Sequence, residues 1–563
     1  MAGRLAFTII PLLAQQFLTA ADAEATVSAT PDGRRTLARR LGDALDSLSD
    51  RYANALGVVL HHVRAMLVAA LLLVAAGAGV YTMVGTGFLP EMDEGAFILD
   101  YFTPGGTALA ETDRQLHIIE RILAETPEIS GTSRRTGAEL GMFATEQNTG
   151  DIAVRLVAPS RRSRSIFEVM DEVRAKAERA VPRVRTEFVQ ILSDILDDLS
   201  GASSPMEIKL FGPDLDSLEH YAAVLSPEVE KVEGLEDFFG GIAEPSAEMA
   251  MRVRTGAAAQ LGLTPQSVSG AVSGAMLGVE AGEIRLDDRS IAIRVRAPDA
   301  VRFSTEGLSA FPVLAPATGR TAPLGTLADF TTHDVRSEHL RENQQQMIAL
   351  TAGVEGRALS AVIADIQGVL AAHPAPEGIR VELGGRYASQ QAAFGALLLV
   401  LALAAVSVLT VMVLQFRSFT EPFVILVAAP LSFVGALTLL LATGTALNVS
   451  SFMGLILLVG LIVKNGIILL DFTQHRMSDA GVDLETGIRE AARVRLRPIL
   501  MTTLCTLFGL LPLALGLGAG SELQKPLALA VIGGLALSTP ITLFVVPVLL
   551  VAIRGADYRL PVA

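Results

Sequence analysis

The chain is expected to be a mixed α/β membrane protein, and three features of the sequence point that way. Six apolar stretches of about twenty residues, long enough to cross a bilayer's hydrocarbon core, fall at 65–84, 392–414, 422–442, 452–472, 498–517 and 527–553. Between the first two lies a polar-patterned insert of roughly three hundred residues, far too long for a loop. The composition divides in the same way. The chain is 51% hydrophobic and 18% charged, against about 25% charged in soluble domains, and its apolar residues are concentrated in the spans.

Composition also excludes some functions. A net charge of -14 lacks the basic footprint of a nucleic-acid binder. The single cysteine, Cys505, lies in an apolar span, so neither a disulfide framework nor a cysteine metal site can form. Trp is absent, which leaves Tyr, Phe and Arg to mark the membrane boundaries. The first residues, MAGRLAFTIIPLLAQQFL, have an early Arg and an apolar run but no convincing cleavage site and a central Pro. They are expected to be the tail of a truncated membrane helix (1–18) rather than a signal peptide, followed by a cytoplasmic or interfacial connector (19–64).

Charge orients the spans. Arg34, Arg35, Arg39, Arg40, Arg51 and Arg64 precede the first, and Arg417 lies between the second and third. Arg476, Arg489, Arg493, Arg495 and Arg497 separate the fourth from the fifth, and Arg554 and Arg559 follow the last. The alternate connections hold no Lys or Arg, or only Lys525 near Glu522. The basic connections therefore belong to the cytoplasmic face, and the insert belongs to the opposite side.

Within the insert the periodicity alternates between strand and helix. Strands are expected at 96–102, 131–136, 151–157 and 184–190, and helices at 108–124 and 166–180. That order, β-α-β-β-α-β, is the split βαβ arrangement of ferredoxin-like domains. It restarts with a strand at 206–211 and a helix at 215–224, then resumes with 347–352, a helix at 358–370 and a strand at 379–383. The interruption, 247–342, reads as a further inserted module.

The most telling single residue is Lys464, in SFMGLILLVGLIVKNGIILLDF (451–472). An ammonium at that depth costs about 2.5–3.5 kcal/mol on insertion scales. It lies about eight residues, at ~1.5 Å each, from either end of the segment, too deep to snorkel easily. Such a residue usually belongs to a proton or ion path with a counter-charge, and the chain shows none for it. The plainer alternative is a lysine that snorkels or deprotonates without a role.

The motifs GTGFLPEMDEG (85–95), FRSFTEP (416–422), ALNVSSFMGLILLVGLIVKNGIILLDF (446–472), RVRLRPILMTT (493–503) and GGLALSTPITLFVVPVLL near the end resemble the C-terminal half of resistance–nodulation–division (RND) efflux permeases of the hydrophobe/amphiphile type. The likeness runs through the whole chain in order and spacing. It implies a six-helix transmembrane half-bundle, its first helix truncated, carrying two periplasmic porter subdomains and a docking subdomain. The expected boundaries are a membrane helix at 65–84, porter subdomains at 85–204 and at 205–246 plus 343–391, the docking subdomain at 247–342, a five-helix membrane domain at 392–553 and a cytoplasmic tail at 554–563. It further implies a homotrimer in the bacterial inner membrane, surrounded by lipid and working with a periplasmic adaptor and an outer-membrane channel. No cofactor and no enzymatic activity are implied.

By the same resemblance Lys464 matches the lysine that pairs with two aspartates of the N-terminal half, so a missing half bearing that pair is an expected partner. Thr502 would hydrogen-bond within the relay and Arg495 would line a cytoplasmic water path; the two are seven residues apart and share a helix face. Asn465 and Asp471 are weaker candidates, and Asp471 is equally readable as a solvated helix-end acid. In the insert, the stretch 137–149 corresponds to a switch loop, with Met142 and Phe143 as gate residues and Phe188 as pocket lining, although single aromatics are more often core. The stretch is aromatic-poor, which argues against a broad aromatic-drug specificity. The acids Asp194, Asp197 and Asp198 could converge on a helix to hold a metal, but no His or Met accompanies them, and a solvated acidic turn is the favoured reading. The methionine triad of heavy-metal exporters is not found, and those exporters commonly lack the lysine. The expected function is therefore proton-driven export of a small molecule. The alternatives are heavy-metal export and a non-transporting membrane scaffold that binds adaptors.

Overall fold

The computed structural model describes residues 37–556 and 558, apart from 91, 140–144, 201–203, 317, 337–338 and 519. The expected truncated helix at 1–18 therefore lies outside the described residues. The chain divides into two compact units, one formed by residues 1–85 and 393–563 and the other by 86–392.

The first described element is a helix where a connector was expected. Helix α1, Leu37–Leu60, buries Tyr52, Leu56 and Leu60 along one stripe, spaced four apart as a helix face requires. Ion pairs Asp46–Arg497 (2.5 Å) and Asp50–Arg493 (2.7 Å) tie its outer side to a later helix. Helix α2, Val63–Met83, is the first span.

The insert begins with β1 (Ala96–Phe102), α3 (Leu109–Glu125), β2 (Ile129–Thr136), β3 (Thr149–Leu156), α4 (Ile166–Ala180) and β4 (Arg185–Gln190). Its sheet is antiparallel in the order β2-β3-β1-β4. Alternation places Phe97, Leu99 and Tyr101 of β1 against the apolar stripes of α3 (Leu116, Ile119, Leu123) and α4 (Val169, Val173, Ala177), forming one core. The start of α4 is set by a capping box between Ser165 and Glu168. Helix α5, Ile191–Ser200, occupies the stretch read as an acidic turn. Its acids fall between leucines and isoleucines at helical spacing, and that pattern prevails over the turn tendency of SDILDDLSG.

A second sheet follows the same grammar: β5 (Met206–Phe211), α6 (Leu215–Val229), β6 (Leu235–Phe239), then β7 (Gln345–Val354), α7 (Leu359–Ala372) and β8 (Arg380–Gly384). β7 and β8 flank β5, and β6 also pairs β7. Between β6 and β7 the described residues form three two-stranded pairings with a small core that includes Ala258, Leu263, Val268, Val313, Leu324 and Leu327.

The remaining spans are α8 (Arg386–Phe416), α9 (Thr420–Ala442), α10 (Val449–Ala480), α11 (Leu484–Ala514) and α12 (Lys525–Arg554), the last interrupted by a π turn at Ile541–Val545. With α2 they make six described helices long and apolar enough to cross a membrane. More than half of the apolar window of α9, α10 and α12 is buried, against 6% for α2 and α8. Glycines allow this close packing. A Cβ on Gly435 would lie 2.4 Å from the carbonyl oxygen of Gly533, and one on Gly533 equally close to that of Gly435, so α9 and α12 touch backbone to backbone.

Candidate functional site

Helix α10 explains where Lys464 stands. Leu455, Leu458, Ile462 and Leu469 are buried against the neighbouring helices. Met453, Leu457, Gly460 and Lys464 are exposed, and their spacing of four, three and four places them on one open stripe. Among the described residues Lys464 has no hydrogen bond or ion pair. Its neighbour Asn465 points inward, 1% exposed, and its Oδ1 meets no donor among those residues.

The other expected relay residues are only partly brought together. Asp471 lies two turns from Lys464 and is 41% exposed. The ring of His475, a residue outside the quoted motifs, lies with Nδ1 2.9 Å from the Asp471 carbonyl oxygen and 3.8 Å from its carboxylate. Arg495 comes across from α11 to lay its guanidinium over Phe472, 4.5 Å from the ring centre, and its Nε has no partner among the described residues. Thr502 donates to the Ile499 carbonyl at 3.1 Å within its own helix. Thr503, one residue on, is the buried one, facing Thr539.

In the insert, Met142 and Phe143 lie outside the described residues. Phe188 is half-buried on β4, its ring 5.9 Å from that of Phe97 and 4.8 Å below the Arg174 guanidinium. That places it at the edge of a core.

A second charged feature emerges only from strand register. Arg135 of β2 pairs Asp151 of β3, Asp151 pairs Asp100 of β1, and Asp100 pairs Glu187 of β4. Partners in register point to the same face, so four ionisable side chains form one row across the sheet, on the face opposite α3 and α4. Asp151 is buried and accepts two bonds from Arg135, each 2.7 Å. Glu187 is paired with Arg185. Asp100 has no such arginine among the described residues. Burial, followed by the like charges of Glu187, Asp194, Glu139 and Asp151, pushes its carboxyl up to about 8. Burial likewise raises Glu187, with Arg185 opposing it. The sequence signal was one acid in each of three apolar strands, which is unremarkable until the register aligns them. Among the described residues no three His, Cys, Asp or Glu side chains converge closely enough to hold a metal ion as they stand.

Comparison with known proteins places these features in a family. Residues 3–554 match the AcrB/AcrD/AcrF family. The chain is 27% identical to the cobalt-zinc-cadmium resistance protein CzcA of Cupriavidus metallidurans, covering 83% of this chain and 45% of that protein. It is 29% identical to the nickel and cobalt resistance protein CnrA of the same organism, covering 84% and 45%. To the multidrug resistance protein MdtC of Pectobacterium carotovorum it is 26% identical, covering 97% and 52%. A crystal structure of a heavy metal efflux pump superposes with a TM-score of 0.80 at 27% identity, covering 91% of this chain and 53% of that one. The chain spans about half the length of the curated relatives it matches, and it belongs to the AcrB/AcrD/AcrF family of RND efflux permeases.

Proposed function

We propose that the chain supplies one half of a proton-coupled exporter and acts as a transporter rather than an enzyme. The observation that carries this reading is the ammonium of Lys464 on the open stripe of α10, without a partner among the described residues. A carboxylate brought to that stripe would be held ionised by the lysine, and protonation would release the lysine. One proton thereby toggles a charge pair, and a charge moved across the membrane field is worth about 2.3 kcal/mol per 100 mV. The carboxylates would come from the rest of a relative-length permease, whether joined to this chain or separate. Arg495, Asp471 and His475 would connect the pair to cytoplasmic water, and Asn465 and Thr502 would orient it. The working form would be an inner-membrane trimer with its insert in the periplasm, meeting an adaptor and an outer-membrane channel through the module at 247–342.

The cargo reading remains a small molecule, and the row of Asp100, Asp151 and Glu187 favours one with positive charge. Asp100 is its one acid without an ion pair among the described residues, while Arg135 and Arg185 offset the others. A second reading, export of divalent metal ions, is supported by relatives that confer cobalt, zinc, cadmium and nickel resistance. Everted vesicles holding the assembled permease test both points. Proton flux should respond to the cargo and disappear in Lys464→Met; equal flux in that variant would remove the relay. Stimulation by cobalt or zinc but not by organic cations would select the second reading.

A further inference from the structure

We propose that Asp237 is a latch that holds the two split βαβ modules of the insert closed on one another. The proposal concerns the insert alone and is independent of proton coupling. It begins with an irregularity in β6. Thr351 of β7 faces Phe239 and Gly353 faces Glu236, so the single residue Ala352 stands opposite both Asp237 and Phe238. Such a bulge re-aims a side chain out of the strand's alternation, and bulges of this kind usually carry Gly. Here the left-handed position, φ 51°, is held by Asp237, a conformation that costs a residue with a Cβ.

That cost is met by contacts across the seam. The Asp237 carboxylate accepts from Arg174 Nε at 2.8 Å and Nη2 at 3.2 Å, and from the Phe188 backbone N–H at 2.9 Å. All three donors belong to the other module. Arg174 lies on α4, and Phe188 lies on β4, an edge strand whose outward N–H groups have no neighbouring strand among the described residues. The side chains of Arg174 and Asp237 are 7% and 8% exposed. Asp171 takes a further Arg174 N–H at 2.6 Å, while Glu236 and Glu355 stand 3.9 Å away. A second crossing lies close by in sequence, where the Arg185 guanidinium covers both Phe102 of its own module, at 3.7 Å, and Phe239 of the other, at 4.2 Å.

The chemistry of this seam suits a contact that opens. An apolar seam exposes its surface to water on separation and stays shut. A buried ion pair gains little over an apolar contact because both charges regain hydration when it parts, and polar inter-domain surfaces are the ones that permit relative motion. The bulge sharpens the effect, because its strained residue is compensated only in the closed state. Half-opening would leave the Asp237 carboxylate buried without its donors, while Arg174 keeps Asp171, so the seam favours fully made or fully parted.

The test uses the full chain in lipid nanodiscs, with Cys505→Ser and spin labels on Arg179→Cys in α4 and Gln367→Cys in α7, both exposed positions. With the latch intact, one short distance should dominate. Asp237→Asn and Arg174→Gln should each raise the longer-distance population roughly ten- to hundredfold, the scale of a charge-assisted hydrogen bond. Asp237→Gly, which relieves the left-handed strain, should open the seam as well. Amide exchange at Phe188 should accelerate at least about tenfold in all three variants, while Leu99, in the interior of the same sheet, keeps its protection. Unchanged distances and unchanged Phe188 exchange would overturn the proposal. So would equal loss of protection at Leu99 and Phe188, since that would make the pair a support for the fold rather than a latch.

Discussion

The membrane unit and the insert both hold charge away from water, but they compensate it differently. In the membrane unit Lys464 projects from a helix of aliphatic residues and has no opposite charge to bond among the described residues. In the insert, Asp151 and Glu187 each have an arginine, and only Asp100 is left over in their row. The difference follows from the surroundings. A charge on a spanning helix in hydrocarbon is costly and usually faces another polar group, whereas a sheet can supply an arginine from the strand alongside, as Arg135 does for Asp151, or from two residues along the same strand, as Arg185 does for Glu187. On the proposed reading one site draws its counter-charge from beyond the described residues, while the other is nearly self-sufficient, with one acid to spare.

The largest expected effect tests the first half of that contrast. Lys464→Met should reduce proton-coupled flux to background while easing membrane insertion of α10 by about 3 kcal/mol. Glycosylation-mapped insertion of the isolated span against vesicle flux of the assembled permease separates the two effects. If insertion does not improve, the ammonium is not at mid-depth and the contrast with the insert fails.

The spare acid gives the next effect. A carboxyl raised to about 8 from its usual 3.8 binds its proton more tightly in the folded insert than in the unfolded chain. Between those values the folded state holds the extra proton, so stability falls as pH rises, by at most about 1.4 kcal/mol per pH unit. Asp100→Asn should flatten that slope between about pH 5 and 8, as measured by denaturant midpoints of the full chain at several pH values. The same substitution should weaken binding of a cationic cargo, most visibly above pH 8, where the parent carboxyl is ionised. An unchanged slope would mean that Asp100 is compensated after all.

The membrane unit's own closure relies on backbone contact rather than charge. Gly435→Ala would drive a methyl to within 2.4 Å of the Gly533 carbonyl oxygen, forcing α9 and α12 apart at a cost of about 1–3 kcal/mol. Thermal unfolding in detergent should report it as a lowered midpoint. Gly460→Ala, on the open stripe with nothing within 4 Å of the added carbon, should leave the midpoint unchanged.

Much of this architecture was legible in the sequence, for identifiable reasons. Length and hydropathy located the six described helices that are long and apolar enough to cross a membrane; the differences lie at the ends, where α8, α10 and α11 extend well beyond their apolar windows. Period two and period 3.6 placed β1, α4 and β5 at their observed limits. Three kinds of feature were hidden. Helix α1 mixes Arg and Asp among its leucines and alanines and buries only a narrow apolar stripe, so no helix was read within the expected connector. The row of Arg135, Asp151, Asp100 and Glu187 depends on register among strands far apart in the chain. The turn of Asp237 away from its strand depends on a one-residue bulge, and bulges follow from pairing rather than from local composition. Lys464 was found at once because its cost is visible in one dimension.

The smallest effect concerns the joint between that unforeseen helix and the bundle. Tyr52 of α1 donates its hydroxyl to the Leu543 carbonyl at 2.7 Å, and its ring meets Phe544 edge-on at 5.3 Å. Both partners lie in the π turn of α12, where wider spacing shifts carbonyls out of the regular ladder. Tyr52→Phe keeps the ring and removes only the donor, so it should cost about 1 kcal/mol, less than the charge and glycine substitutions. Two flanking ion pairs, from Asp46 and Asp50 to Arg497 and Arg493, are largely exposed and should each contribute still less, about 0–1 kcal/mol, fading with added salt. A salt titration of thermal stability in the parent and in Tyr52→Phe therefore assigns the joint. A salt-independent decrement in the variant marks a neutral hydrogen bond as its main fastening. A decrement that vanishes at low salt would give the arginines the larger share, making this contact, like the row in the insert, one that is held mainly by charge.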